Sequence, residues 1–142
     1  MQADYLILAD AVAVAQGKHY IHGGGWNSLF VPSLPASHPV VGIATRLRIP
    51  QSEANQRHTV EIDVLEGEDG ESILPDAPLQ STFDVGQPLN AVPHSDQVLA
   101  LAFNVANLQF RASGIYTIVL RVNEHDLATT QFSVIHLPEA PA

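Results

Sequence analysis

The strongest constraint on the fold is a two-residue alternation of side-chain character that recurs in several short runs. From Val41 to Ile49, every second residue starting at Val41 is apolar or Thr, and the residues between are Gly, Ala or Arg. The same period recurs in residues 58–65 and 114–122. Successive side chains of a β-strand point to opposite faces of a sheet, so this period predicts strands with one buried face.

Turn-forming residues separate these runs at short intervals, for example Gln16-Gly17 and the segment 67–70. We expect eight or nine strands, no helix longer than about two turns, and an all-β fold. The predicted architecture is a single antiparallel β-sandwich over residues 1–137, with immunoglobulin-like or related Greek-key topology. Residues 138–142 are expected to be a frayed tail.

Two further expectations concern strand positions. Residues 98–105 are apolar on both faces, which predicts a central strand, and the Pro-rich segment 86–97 is expected to cross between sheets. If Arg48 lies opposite Glu61, then Arg46 lies opposite Asp63 and Leu47 opposite Ile62, which keeps all inward residues inward.

Charge and cysteine content exclude several functions. The net charge is −9, and segment 53–84 holds nine acidic side chains and one base, Arg57. Such a surface repels phosphates, so we expect neither nucleic acid nor an anionic membrane as a partner. The sequence has no Cys, which excludes disulfides, a thiolate nucleophile and a Cys-ligated zinc.

The apolar stretch 5–15 superficially resembles a secretory leader. It lacks a preceding Lys or Arg, and Asp10 interrupts its apolar run. It is also too short to span a bilayer. We therefore expect a strand here, paired with residues 18–21 across the Gln16-Gly17 turn, in a cytoplasmic protein.

The segment 20–30 contains the only Trp and the only run of three glycines. Glycines cost backbone entropy, so we expect Gly23 to Gly25 to supply positive φ or close backbone approach where the second strand ends. That bend would aim Trp26 over the ends of the sheets, either as a core anchor or as an exposed binding platform.

The candidate binding residues are Trp26, Asn27 and His22. His19 and His22 form His-x-x-His, but residues three apart on a strand face opposite sides, which argues against a shared metal. A weaker alternative is a divalent cation bound by Glu68, Asp69 and Glu71, although this acidic turn lacks the ligand spacing of a calcium loop. No catalytic motif or cofactor-binding motif is found.

Two resemblances to known proteins follow from short motifs. Gly114-Ile-Tyr116, which opens a late strand, resembles the tyrosine corner of immunoglobulin-like sandwiches, with Ile118 in place of the usual Cys. A second pattern resembles an uncharacterised bacterial family of short all-β proteins: Ile7-Leu-Ala-Asp10, Gly17-Lys18, Ile21 with Gly23-Gly24, and Pro35-Ala-Ser-His-Pro39. This resemblance implies the fold and a bacterial origin, and it implies no activity.

The sequence therefore predicts a non-enzymatic protein-binding or assembly module, with a protein partner or self-association. The alternative is a sandwich that binds carbohydrate or a divalent cation through the Gly-Trp segment or the acidic turn.

Overall fold

The computed structural model describes residues 1–75, 78–86 and 95–138, and these residues form an all-β structure. The strands are β1 (Gln2–Ala15), β2 (Lys18–Gly24), β3 (Ser28–Val31), β4 (Ala36–Ile49), β5 (Arg57–Glu66), β6 (Leu79–Asp84), β7 (Gln97–Phe110), β8 (Gly114–Val122) and β9 (His125–His136). The described chain has one helical segment, the 3-10 turn Gln51–Glu53. No helix in it is long and apolar enough to cross a bilayer.

The strands form two sheets. The first has the order β2-β1-β4-β7 and the second has the order β3-β9-β8-β5-β6. All neighbours are antiparallel except β3 and β9, which run parallel. The fully antiparallel expectation is therefore wrong at this pair. The period of a strand sets the direction of its buried face, and it does not reveal a pairing between strands so distant in sequence.

Both sheets contribute to one apolar core. The alternation predicted from the sequence is confirmed, since Val41, Ile43, Leu47 and Ile49 are buried on one face of β4. The aromatic centre of the core comes from β7, β8 and β9. Phe110 packs edge-on against Tyr116 at 4.9 Å between ring centroids, and Tyr116 stacks on Phe132 at 5.7 Å.

The predicted pairing of β4 with β5 is wrong, because these strands belong to different sheets. Pro50 and the 3-10 turn that follows carry the chain from one sheet to the other. Arg48 and Arg46 instead pair with Asp4 on β1, at 3.0 and 3.4 Å. Alternation correctly gave the inward faces of β4, β5 and β8, but it could not identify the neighbouring strand.

The prediction that β7 is central is also wrong, because β7 ends the first sheet. Its outer face is apolar because a hairpin arm, residues 10–24 of β1 and β2, folds back across the outer face of that sheet. Val12 packs over Gly42 so closely that a Cβ added at Gly42 would lie 3.0 Å from the Val12 side chain. Ala9 and Ala44 are fully buried there with Val12, beside Ala102.

Polar contacts hold the arm in place. The side-chain amide of Asn104 on β7 donates to the Val12 carbonyl at 2.9 Å and accepts from the Val12 N–H at 3.2 Å. It thereby takes the place of a neighbouring strand for that residue. The His19 ring lies between the Tyr5 hydroxyl, at 2.5 Å, and the Leu101 carbonyl, at 2.8 Å.

The expectation for the glycine run is confirmed. Gly23 and Gly25 have φ of 59° and 87°, values that other residues rarely adopt. At Gly24 a Cβ would lie 2.5 Å from the Ile21 side chain. The Gly25 N–H donates to the Leu8 carbonyl at 2.8 Å. The glycine run thus takes the chain from the arm to the edge of the second sheet.

Other expectations fall partly outside the described residues. The segment 86–97 joins β6 in the second sheet to β7 in the first, so its crossing is confirmed at both ends, while 87–94 lie outside the described residues. The predicted tail lies outside them too, apart from Pro138.

Candidate functional site

Trp26 is the anchor that joins the arm to the core. Its ring is half-buried and meets Phe132 edge-on, with centroids 6.2 Å apart and planes at 89°. The indole Nε1 is buried and has no hydrogen-bond partner among the described residues. A ring turned toward the interior is a packing element, so of the two roles considered for Trp26 the structure favours the core anchor.

The other two candidate residues face solvent. His22 is exposed on β2 of the arm, opposite Ala11. Asn27 is also exposed, and its backbone carbonyl accepts from the Ser133 N–H at 2.9 Å at the start of the β3–β9 ladder. His19 is held by Tyr5 and Leu101, so it does not share an environment with His22.

The acidic turn folds onto the outer face of the second sheet. Its Gly67 carbonyl accepts from the Thr117 hydroxyl at 2.7 Å, and its Gly67 N–H donates to the Ile115 carbonyl at 2.7 Å. A groove of about 480 Å³ lies beside Glu68 and Asp69. In the described part of the chain, no three His, Asp or Glu side chains come close enough together to hold a metal ion.

Arg121, which lines this groove, pairs with three carboxylates. Arg121 contacts Asp126 at 2.8 Å, Glu61 at 3.1 Å and Asp63 at 3.4 Å. Burial lowers the pKa of Arg121, but these hydrogen bonds outweigh it and leave that pKa above its usual value. Its guanidinium is therefore occupied within the chain and is not presented as an anion site.

Tyr116 has the hydrogen bond expected of a tyrosine corner. Its hydroxyl donates to the Ala112 carbonyl, four residues upstream, at 2.6 Å. The side chain is 2% exposed, and burial raises the pKa of the phenol. This contact fixes the turn between β7 and β8.

Sequence reasoning missed an apolar feature of the surface, which we call the β3 surface. It lies on the outer face of the second sheet around β3 and β9. Its members are Phe30, Ile115, Ile135 and Leu137, exposed by 63%, 51%, 38% and 59%, with Ser28 and Ser133 between them. Phe30 lies directly beside Ile135 in the β3–β9 register, and Ile115 lies beside Ser133.

The signal that could have revealed this surface is the distribution of charge. Residues 19–45 and 127–138 contain no Asp, Glu, Lys or Arg, in a chain whose net charge is −9. Natural sheets usually protect an edge with charged residues. Because β3 and the part of β9 after Asp126 both come from uncharged segments, the β3 surface combines an open edge with apolar side chains.

Half of the backbone groups of β3 face that open edge. The Asn27 and Val31 carbonyls accept from the N–H groups of Ser133 and Leu137, each at 2.9 Å. In a parallel ladder the backbone groups of every second residue bond to the same neighbouring strand, so the N–H and C=O groups of Leu29 also face β9. The N–H and C=O groups of Ser28 and Phe30 therefore point away from it, and β3 has no second neighbour in the described sheet.

Comparison with known sequences identifies a family but no activity. No curated protein has a sequence that matches this chain. A family model described as a family of unknown function, DUF6941, matches residues 4–135, which covers all nine strands except for the first two residues of β1 and His136. The chain therefore belongs to the family of unknown function DUF6941.

Proposed function

We propose that this chain is a non-enzymatic protein-binding or assembly module that contacts its partner through the β3 surface. The observation that supports this most is the exposure of Phe30 beside Ile135, on an edge strand with unpaired backbone groups. A contiguous exposed apolar patch on a soluble domain typically marks a contact site. Edge strands are in addition ready-made templates for pairing with another chain.

We further propose that the architecture is an immunoglobulin-like β-sandwich in a bacterial, cytoplasmic protein. The sheet order β3-β9-β8-β5-β6 supports the architecture, since it resembles the larger sheet of a variable-type domain. The hydrogen bond from Tyr116 to Ala112 supports it as well.

Binding of carbohydrate or a divalent cation has weaker support. Trp26 packs against the core instead of presenting its face, and Arg121 already pairs with Glu61, Asp63 and Asp126 at the groove. Titration with simple sugars and with Ca²⁺, followed by tryptophan fluorescence, tests this alternative. We expect no saturable change with either ligand.

Affinity capture from an extract of the native host tests the proposed function. Phe30→Ser should reduce capture of a specific protein at least about tenfold, because an apolar anchor at the centre of an interface typically contributes most of its affinity. Val98→Ser is the matched control, since Val98 is an apolar residue 48% exposed on β7. Equal capture by wild type and Phe30→Ser would rule out the β3 surface as the contact site.

A further inference from the structure

The chemistry of the β3 surface indicates what kind of partner it fits. We infer that it pairs with the β3 surface of a second copy of this chain, through two antiparallel β3 strands related by a two-fold axis at Leu29. This inference rests on the proposed function, since it names the partner for the same surface. It would join the two copies of the second sheet into one continuous sheet.

The backbone of β3 is self-complementary under this symmetry. Ser28 and Phe30 have their N–H and C=O groups on the open side, and a two-fold axis at Leu29 places Ser28 opposite Phe30 of the second copy. In an antiparallel ladder, two opposed residues form a hydrogen-bonded pair when the N–H and C=O groups of each point toward the other strand. Two such pairs form, with four hydrogen bonds, and all open groups of β3 are satisfied.

The side chains fit the same arrangement. Phe30 and Ser28 are on the outer face, so the symmetry places the large ring of each copy beside the small hydroxymethyl group of the other. Directly opposed side chains in a sheet contact each other, and a large residue opposite a small one fills space without a clash. The two Phe30 rings lie diagonally across the axis, within the reach of aromatic side chains.

Charge distribution favours a second copy despite the net charge of −9. In a two-fold contact each patch meets itself, so any charge on it would face its own sign. The β3 surface has no charged side chain, and eight of the nine net negative charges belong to segment 53–84. The β3 surface therefore lets two copies meet without opposing like charges within it.

Interface size sets the expected strength. Edge-to-edge pairing covers Ser28 and Phe30 on β3, whereas Ile115 on β8 lies two strands from the edge, so the buried area falls below the roughly 800 Å² per partner of a standard stable interface. We therefore expect a weak dimer that forms at micromolar to submillimolar concentration. Sedimentation velocity over this range should show the mass rising from that of one chain toward that of two.

Variants of exposed residues test the surface. Phe30→Glu should keep the chain monomeric over the whole range, whereas Val98→Glu, with the same change of charge on β7, should still dimerise. Phe30→Thr, which retains a residue suited to strands, provides a second variant if Phe30→Glu does not fold. Equal self-association of Phe30→Thr and wild type would overturn the inference, since association would then use another surface.

A disulfide experiment tests the register, using the absence of Cys from the chain. Leu29→Cys and Ser28→Cys, which both retain Phe30, are purified and oxidised separately. The axis at Leu29 places each Leu29 opposite its own counterpart, with Cα atoms about 4.5 Å apart and within disulfide range, whereas the two Ser28 residues lie diagonally at roughly 7–8 Å. Leu29→Cys should form cross-linked dimer at least about tenfold faster than Ser28→Cys. Equal rates in the two samples would overturn the register.

The outcomes also separate this inference from the proposed function. If the wild type remains monomeric at every concentration while Phe30→Ser still loses a host protein, self-pairing is overturned and the proposed function stands. If Phe30→Ser changes neither self-association nor capture, both are overturned.

Discussion

At the scale of single residues, this chain uses its few aromatic side chains to join segments that are distant in sequence. Trp26 and Tyr116 both contact the centre of the core around Phe132, one from the end of the arm and one from the start of β8. Substitution of either residue is therefore expected to change the stability of the whole fold.

Trp26→Ala should destabilise the fold by about 3 kcal/mol, because it removes the contact with Phe132 and leaves a cavity. Trp26→Phe is the matched control. It keeps an aromatic ring and removes an indole N–H that has no partner in the described parts of the chain, so its cost should be about 1 kcal/mol or less. Urea unfolding of both variants measures the difference. An unchanged midpoint for Trp26→Ala would contradict the anchor role.

We expect the buried phenol of Tyr116 to make the fold less stable at high pH. Burial raises the pKa of its phenol in the folded state above the unfolded value near 10. The unfolded chain therefore releases its proton first, and the stabilisation that is complete below pH 10 is lost as the pH rises through the folded pKa. Tyr116→Phe should cost about 1 kcal/mol at neutral pH through loss of the bond to Ala112.

Thermal melts at pH values from about 8 to 11 check this prediction. The wild type should lose more stability than Tyr116→Phe over that interval, so the two curves should converge. Tyr20→Phe, at an exposed position on the arm, is the control and should leave the wild-type dependence unchanged. Parallel curves for wild type and Tyr116→Phe would show that the buried phenol is not responsible.

At the scale of elements, the arm of residues 10–24 explains both what sequence reasoning achieved and where it failed. The hairpin itself follows from Gln16-Gly17, whose φ values of 52° and 71° match the two positive angles of a tight turn. Its position over the first sheet could not be predicted, because Gly42 and Ala44 read only as small residues on the outer face of a strand. The same covering makes β7 apolar on both faces and made it look central.

Strand neighbours were unpredictable for a related physical reason. Alternation depends on burial, which is a property of one strand, whereas pairing depends on the path of the chain between strands. The positions of Arg46 and Arg48 illustrate this, since Asp4 satisfies them as well as Glu61 or Asp63 would have. Likewise, β3 could not be recognised as an open edge until its parallel pairing with β9 was known.

The arm makes a testable prediction of its own. Asn104→Ala removes two hydrogen bonds to Val12 and should allow the arm to open locally, at a cost of about 1–2 kcal/mol. Hydrogen exchange in residues 10–24 should then accelerate while β8 and β9 stay protected. Gln109→Ala, which removes an exposed amide from the same strand, is the control. Unchanged exchange in the arm of Asn104→Ala would mean that apolar packing alone holds it.

At the scale of the whole molecule, the chain separates its charge from its apolar surface. Among the described residues, Glu61, Asp63 and Asp84 lie on β5 and β6, whereas β3 and the part of β9 beside it carry no charged side chain. Net charge keeps copies apart at most orientations. The uncharged edge then leaves one orientation in which contact is favourable. This separation is the physical basis of the proposed role as a binding or assembly module.

The most direct test of this account is residue-resolved amide hydrogen exchange of β3 at low and high protein concentration. The N–H groups of Leu29 and Val31 bond to β9, so both amides should exchange slowly at either concentration. The amides of Ser28 and Phe30 should exchange rapidly in dilute solution and become protected as the concentration rises. Slow exchange of Ser28 and Phe30 in dilute solution, or rapid exchange at every concentration, would contradict the account.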